Sequence, residues 1–208
     1  MRERILVISP HGDDGELGCG GSICRFTEEK EEIHYIAFSD AKNVLPEGLD
    51  EDTLRREIYQ ATAILGVKSK NVYIYDFETR NFNKDRQKIL DVLISIKKDI
   101  QPTLIFTPTK SDIHQDHQVI NLEGKRAFKH ISILGYNFPW NTFSFTPTYF
   151  TVLTREQLDK KILAVSQYVS QRGKLFLSKE AIESFASCTG LQIGVEYAES
   201  FEVVRWVV

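Results

Sequence analysis

The sequence predicts an α/β fold with a Rossmann-like, mainly parallel sheet, helices on both faces and a small C-terminal extension. The first observation is the apolar run at 5–8, which reads as a buried strand and leads directly into a glycine-rich loop. The second is the regular alternation of strand and helix patterns over the first 136 residues, which is typical of a parallel sheet covered on both faces. The third is the absence of a linker or repeat, so residues 1–208 are predicted to form a single domain.

The first half supplies the predicted parallel strands, which are short apolar runs at 5–8, 33–38, 71–75, 103–106 and 131–136. Between them, apolar residues recur at helical spacing, which predicts helices at about 18–30, 53–65 and 84–98 and a fourth that ends near 130. Gly66 is a typical stop signal after the second helix, and Pro102 precedes the fourth strand.

After residue 136 the pattern changes. An aromatic loop at 137–141 is followed by an alternating stretch at 145–153, which predicts an added strand. Two helical segments at about 155–169 and 178–191 come next, and the apolar stretch 201–208 predicts a terminal strand. We therefore expect these elements to extend the main sheet.

Composition excludes several classes of protein. With 42% hydrophobic and 26% charged residues and a net charge of −3, the chain gives no electrostatic reason to expect a nucleic-acid or membrane partner. The apolar runs are strand-sized, so no membrane span and no signal peptide are predicted. Three cysteines without paired spacing fit a reducing compartment, and we expect a cytoplasmic protein. The oligomeric state is left open, a homo-oligomer included.

Two clusters of imidazole and carboxylate groups follow two of the predicted strands. Because parallel strands end at one edge of a sheet, we expect the clusters to meet there. A catalytic zinc needs three ligands from His, Asp or Glu and a free position for water, so the clusters hold more groups than a metal requires. The surplus is available for proton transfer and for orienting ligands. The six residues are His11, Asp13, Asp14, His114, Asp116 and His117.

A nucleotide site is the alternative interpretation of the glycine-rich turn at 18–22, since such turns also hold pyrophosphates. The dinucleotide fingerprint is absent, however, and Asp13 and Asp14 would repel a phosphate. Polar loops of a nucleotide-binding fold would also hold no stoichiometric metal. The two adjacent carboxylates therefore favour a metal site.

The motifs His11-Gly12-Asp13-Asp14 and His114-Gln115-Asp116-His117 together resemble those of the LmbE-like or PIG-L family of zinc-dependent N-acetylglucosaminyl deacetylases. The family patterns are His-Pro-Asp-Asp and His-x-Asp-His. The similarity also covers the stretches 16–21, 57–66, 136–141 and 196–201 and the loop with Arg80. The resemblance implies a hydrolase that removes an N-acetyl group from an amino sugar or sugar conjugate, with Zn²⁺ or another divalent ion such as Fe²⁺.

The resemblance also implies a role for each motif residue. His11, Asp14 and His117 would ligate the metal. Asp13 would be the general base, His114 would stabilise the oxyanion, and Asp116 would orient its neighbours; from the residues alone, an imidazolium is the form expected at the oxyanion. Substrate contacts are predicted for Arg80, Arg55 and, as a ring-stacking residue, Trp140, although aromatic residues in such a loop equally serve as lid packing.

Two departures from the family pattern affect these assignments. Gly12 replaces the usual proline, which predicts a more mobile ligand loop. Arg55 is out of register with the arginine that often precedes the glutamate of the second helix. The alternatives are hydrolysis of another N-acyl amide, and an inactive metal-containing sugar-binding module, to which only Gly12 points.

Overall fold

A computed structural model describes residues 3–208, and positions 1 and 2 of the predicted domain lie outside the described residues. Its seven-stranded sheet has the order β3-β2-β1-β4-β5-β7-β6. The first five strands are parallel, and β7 pairs antiparallel with both β5 and β6. The predicted fold class is confirmed. The strands are β1 (Arg4–Ser9), β2 (Glu32–Ala37), β3 (Val72–Ile74), β4 (Leu104–Pro108), β5 (Ser132–Tyr136), β6 (Tyr149–Leu153) and β7 (Tyr197–Arg205).

Six α-helices cover the two faces of the sheet. Alternate residues of β1 belong to different cores, Ile5 and Val7 to one and Leu6 and Ile8 to the other, so this strand is buried on both sides. The first core includes residues of α1 and α2, and the second includes residues of α3 and α4. No helix among residues 3–208 is both long and apolar enough to cross a membrane. The helices are α1 (Asp14–Glu28), α2 (Thr53–Ile64), α3 (Arg86–Ile100), α4 (Gln115–Ala127), α5 (Arg155–Val165) and α6 (Lys179–Leu191).

The C-terminal elements differ from their predicted bounds. The last strand spans 197–205 instead of 201–208, β6 begins at Tyr149 instead of Phe145, and α5 ends at Val165, before a 3₁₀ turn at 169–171. Glu199 explains the error in the last strand, because a carboxylate interrupts the apolar pattern. Its side chain is buried in a pair with Lys161, whose Nζ lies 2.6 Å from Oε1.

Helix α1 begins at Asp14, four residues before the predicted start, and has a kink at Cys19, whose φ and ψ are −147° and 25°. Just beyond the kink, the backbone N–H groups of Gly21 and Ser22 donate to Glu199 at 2.9 and 2.7 Å. The buried carboxylate therefore accepts from two backbone N–H groups next to the point where the helix is irregular. A Cβ on Gly18 would lie 2.5 Å from the Tyr136 ring, so this position needs glycine.

Candidate metal centre

The two sequence clusters meet at one edge of the sheet, as predicted. Strands β1 and β4 are paired neighbours, and one of the clusters follows the end of each strand. The ring centroids of His11 and His114 lie 5.0 Å apart, those of His114 and His117 lie 4.5 Å apart, and those of His11 and His117 lie 5.3 Å apart. Imidazoles separated by about 100 residues in the chain thus form one compact group.

The Asp14 carboxylate lies between two of these imidazoles. Its Oδ2 atom is 3.1 Å from Nδ1 of His11 and 3.2 Å from Nε2 of His117. The backbone N–H of His11 also donates to this oxygen at 2.8 Å, which fixes the carboxylate against its own loop. One oxygen and two nitrogens therefore point at a common centre.

The remaining nitrogen of each imidazole contacts a second carboxylate. Nε2 of His11 lies 3.0 Å from Asp116, and Nδ1 of His117 lies 2.7 Å from Asp112. Both carboxylates are buried, and Asp116 also accepts from the backbone N–H groups of Arg80 and Phe82. Carboxylates that accept from the outer nitrogen of a histidine fix the ring and its tautomer in metal sites.

Asp112 is the functional candidate that the sequence reasoning missed. It stands in the second cluster, but the resemblance assigned roles only to the residues of the His-x-Asp-His motif. Because its backbone lies two residues before His114, its Oδ1 also accepts from the His114 N–H at 2.8 Å. Its position two residues before the His-x-Asp-His motif was the signal in the sequence that could have identified it.

The donor set fits a divalent transition metal. Once the outer nitrogens are engaged by carboxylates, the inner nitrogens of His11 and His117 remain, together with Asp14, and this is a set that zinc accepts. The three imidazoles also have ligand nitrogens within 4.8 Å of one another. Two three-ligand sets therefore overlap here. Both contain His11 and His117, and the third ligand is either Asp14 or His114.

Charge coupling in the cluster favours protonated imidazoles in the metal-free protein. Burial by itself lowers the pKa of His117, but Asp14 and Asp112 outweigh it and raise that pKa to about 10. For His11 burial likewise lowers the pKa, and the hydrogen bonds to Asp116 and Asp14 raise it above the ordinary value. Burial raises the pKa of Asp14, yet His117 and His11 bring it well below its usual range. A cation would replace these protons.

His114 is in a different state. Burial, followed by the neighbouring His117 and His11, lowers its pKa to about 4, so the imidazole is neutral at pH 7. It caps α4, and its Nδ1 accepts the backbone N–H of Asp116 at 3.2 Å. The proton must then be on Nε2, which can donate a hydrogen bond. In the metal-free protein His114 is therefore a neutral hydrogen-bond donor and not the imidazolium expected at the oxyanion.

Asp13 is the carboxylate of the cluster that forms no ion pair with a histidine among residues 3–208. Burial and repulsion from Asp14 raise its pKa above the ordinary value. A carboxylate with a raised pKa, next to the ligand group and not bound to a cation, has the properties of a general base. Asp13 and Asp14 are adjacent in sequence, but their environments shift their pKa values in opposite directions.

A comparison of the sequence with protein-family models matches the region that contains both clusters of the metal centre. The family model of PIG-L, GlcNAc-PI de-N-acetylase, matches residues 6–128, more than half of the chain and including both motifs. The chain belongs to the PIG-L family.

Individual relatives are distant in sequence. The uncharacterized deacetylase YaiS of Escherichia coli is 28% identical over 174 residues, which cover 81% of this chain and 92% of that protein. Diacetylchitobiose deacetylase of Thermococcus kodakarensis is 26% identical over 143 residues, 65% of this chain and 52% of that protein. The structure of N,N'-diacetylchitobiose deacetylase from Pyrococcus horikoshii superposes with a TM-score of 0.80 at 22% identity, covering 97% of this chain and 84% of that one.

This PIG-L chain has Gly12 where the family pattern has proline, and the structure shows what holds that position. The Gly12 carbonyl accepts from the hydroxyls of Tyr35, at 2.9 Å, and Tyr168. Both tyrosines also contact the fully buried Glu16. Burial raises the pKa of Glu16 to about 8, so its carboxyl is protonated at neutral pH and adds a third donor to this network. The greater mobility expected of the loop stays a prediction.

The predicted substrate residues lie in three different settings. Arg80 is exposed, has a φ of 70°, and is held by its backbone N–H to Asp116. The Arg55 guanidinium donates to the Ile74 carbonyl at 3.0 Å and lies 4.0 Å from Asp40, so its contacts are outside the histidine cluster. Trp140 follows β5, as expected.

Proposed function

We propose that this PIG-L family member is a zinc-dependent N-deacetylase that hydrolyses the N-acetyl group of an amino sugar or sugar conjugate and releases acetate. The observation that carries the proposal is the pair His11 and His117, each oriented by a carboxylate and both facing Asp14, with Asp13 adjacent. The relatives named as diacetylchitobiose deacetylases support the amino-sugar substrate.

In this proposal His11, Asp14 and His117 hold the ion, and Asp116 and Asp112 orient the two imidazoles. Zn²⁺ suits two imidazoles and a carboxylate, and Fe²⁺ is the alternative metal. When bound, the ion would polarise the amide carbonyl and lower the pKa of water. The residues of the chain do the rest of the chemistry.

Asp13 takes a proton from the water that attacks the amide carbon. As the carbonyl oxygen becomes negative, it accepts a hydrogen bond from Nε2–H of His114. A neutral imidazole serves here, because its N–H is already directed by the hydrogen bond at Nδ1. The protonated Asp13 then gives its proton to the amine nitrogen as the carbon–nitrogen bond breaks. The products are acetate and a free amino sugar.

Substrate contacts are proposed for Arg80, Arg55 and Trp140. The exposed guanidinium of Arg80 is suited to sugar hydroxyls, since the backbone of this residue is fixed by Asp116. Trp140 lies in the loop after β5 and is 37% exposed, and because its ring already stacks on Phe138 and Phe176, the proposed contact with a sugar ring uses its exposed part. Arg55 is the least direct of the three, because its guanidinium already contacts Ile74 and Asp40.

The alternatives differ in what they need from these residues. A binding module without turnover has no use for a free carboxylate beside the ligands or for a directed imidazole donor, so Asp13 and His114 count against it. Hydrolysis of another N-acyl amide would use the same groups and differ only in the substrate contacts.

The test is acetate release from N-acetylglucosamine, N,N'-diacetylchitobiose and N-acetylglucosamine conjugates. We expect release that stops with a chelator and returns with Zn²⁺ or Fe²⁺ in a 1:1 ratio to the chain. Acetate release that survives complete metal removal would contradict the metal role. An absence of activity on every N-acetylated sugar, with cleavage of another N-acyl amide, would move the assignment to that alternative.

A further inference from the structure

A cavity lies beside the metal centre, between the loop that follows β5 and helix α6. Its volume is about 100 Å³. That is smaller than the 150 Å³ of an engineered protein cavity that binds benzene, and it suits a chain of about four carbons. Its wall is mainly apolar and aromatic, with contributions from Leu17, Phe138, Trp140, Phe176, Ile182 and Phe185.

Stacked rings connect this cavity with the metal centre. Phe138 lies edge-on to His117 at 5.6 Å between ring centroids and stacks on Trp140 at 5.2 Å. Trp140 in turn stacks on Phe176 at 4.4 Å. We call the rings of Phe138, Trp140 and Phe176 the aromatic ladder. Its first ring separates the cavity from a proposed metal ligand, so a substrate at the metal is one ring away from the cavity.

The polar groups of the cavity point to one kind of ligand. Lys161 and Glu199 line it as a mutually neutralised pair, so they offer no net charge to an ionic ligand. Asn137 also lines it, and the Oδ1 atom of its side chain is buried and has no hydrogen-bond partner among residues 3–208. A buried acceptor without a donor is unfavourable, which favours a ligand that brings one hydrogen-bond donor.

We propose that this cavity holds an apolar substituent of the substrate, about four carbons long, whose polar end donates a hydrogen bond to Asn137. The substituent is either an N-acyl chain longer than acetyl or an apolar aglycone. The proposal rests on the proposed function, because it assumes an N-acylated sugar at the metal. It makes the chain selective for amphiphilic amino sugars over free N-acetylglucosamine.

Ligand binding tests the cavity without turnover. In zinc-loaded protein with Asp13→Asn and Trp206→Phe, Trp140 is the one remaining tryptophan and reports on the ladder by its fluorescence. Two series are titrated, N-alkanoyl glucosamines and alkyl N-acetylglucosaminides, each from one to eight carbons. We expect affinity to rise about fourfold per methylene over roughly the first four carbons and then to level off. A rise in the first series identifies an acyl chain, and a rise in the second identifies an aglycone.

Matched variants of the 3₁₀ turn that carries Phe176 complete the test. Phe176→Ala removes the outer ring of the ladder and should reduce the gain per methylene to less than twofold. Leu175→Ala is the control, because this neighbouring side chain is 83% exposed and does not line the cavity. Affinity independent of chain length in both series, or equal effects of the two variants, would overturn the proposal. A chain-length effect, together with no deacetylase activity in the zinc-loaded protein that keeps Asp13, would uphold the cavity and reject the proposed function instead.

Discussion

Zinc binding to the metal-free protein is expected to release one to two protons at pH 6.5. The pKa of His117 is about 10 because Asp14 and Asp112 outweigh its burial, so its proton must leave before the imidazole can bind a metal. At pH 6.5, displacing that proton costs about 5 kcal/mol, at 1.36 kcal/mol per pH unit. The raised pKa of His11 adds a fraction of a second proton. Titration calorimetry in buffers of different ionisation enthalpy measures the number released.

The same linkage makes the apparent affinity for zinc rise about tenfold or more per pH unit between pH 5.5 and 6.5. Asp112→Asn keeps an acceptor for Nδ1–H of His117 but removes a charge, so the pKa of His117 should fall by roughly one unit. The zinc affinity plotted against pH should then level off at a correspondingly lower pH. His130→Gln is the control, because this histidine is exposed and outside the cluster. Binding without proton release, at an affinity that is flat from pH 5.5 to 7, would refute the coupling of these groups.

The remaining predictions separate the roles within the site. Asp13→Asn should keep zinc in a 1:1 ratio by elemental analysis while kcat falls by about 10²–10⁴; loss of the metal would show a ligand instead of a base. His114→Ala should also keep zinc and lower kcat by about 10²–10³, whereas Asp14→Asn should lose zinc. Loss of zinc in His114→Ala and its retention in Asp14→Asn would assign the metal to the three imidazoles. In metal-free protein, Glu16 has its pKa raised by burial to about 8, so it binds more protons when folded than when unfolded, and stability should fall as pH rises from about 4.5 through 8. The loss over that interval is up to about 5 kcal/mol, and Glu16→Gln should flatten this part of the pH curve in thermal unfolding; an unchanged slope would show that Glu16 is ionised in the folded state.

The parallel half of the fold could be predicted because its strands are buried on both faces and therefore appear as uninterrupted apolar runs. The meeting of the two clusters follows from that half alone. The bounds of β7 could not be predicted, since Glu199 is a strand residue whose charge is balanced by Lys161 and by the backbone of α1. Glu199 is 38 positions from Lys161 and 178 positions from Gly21 in the sequence, so no local sequence pattern predicts these contacts.

The metal centre was predictable to the extent that its groups are close to motifs. His11 and His117 stand in recognisable spacing, but the selection of their inner nitrogens depends on Asp116 and Asp112, which contact them only in the folded chain. The state of His114 was not predictable either. Its neutrality follows from burial and from the two neighbouring imidazoles, which lower its pKa.

Gly12 lacks the local restraint of a proline, and two side chains distant in sequence hold its carbonyl. A proline would fix φ before folding, and its absence costs about 1 kcal/mol or less in chain entropy. The two tyrosine hydroxyls that donate to the Gly12 carbonyl contribute about 1 kcal/mol each. Tyr168 is held by the segment that follows it. Two residues later, Ser170 donates from its N–H and its hydroxyl to the buried Glu57 of α2, at 2.9 and 2.6 Å. The glutamate of the second helix is therefore connected to the metal loop through Ser170 and Tyr168.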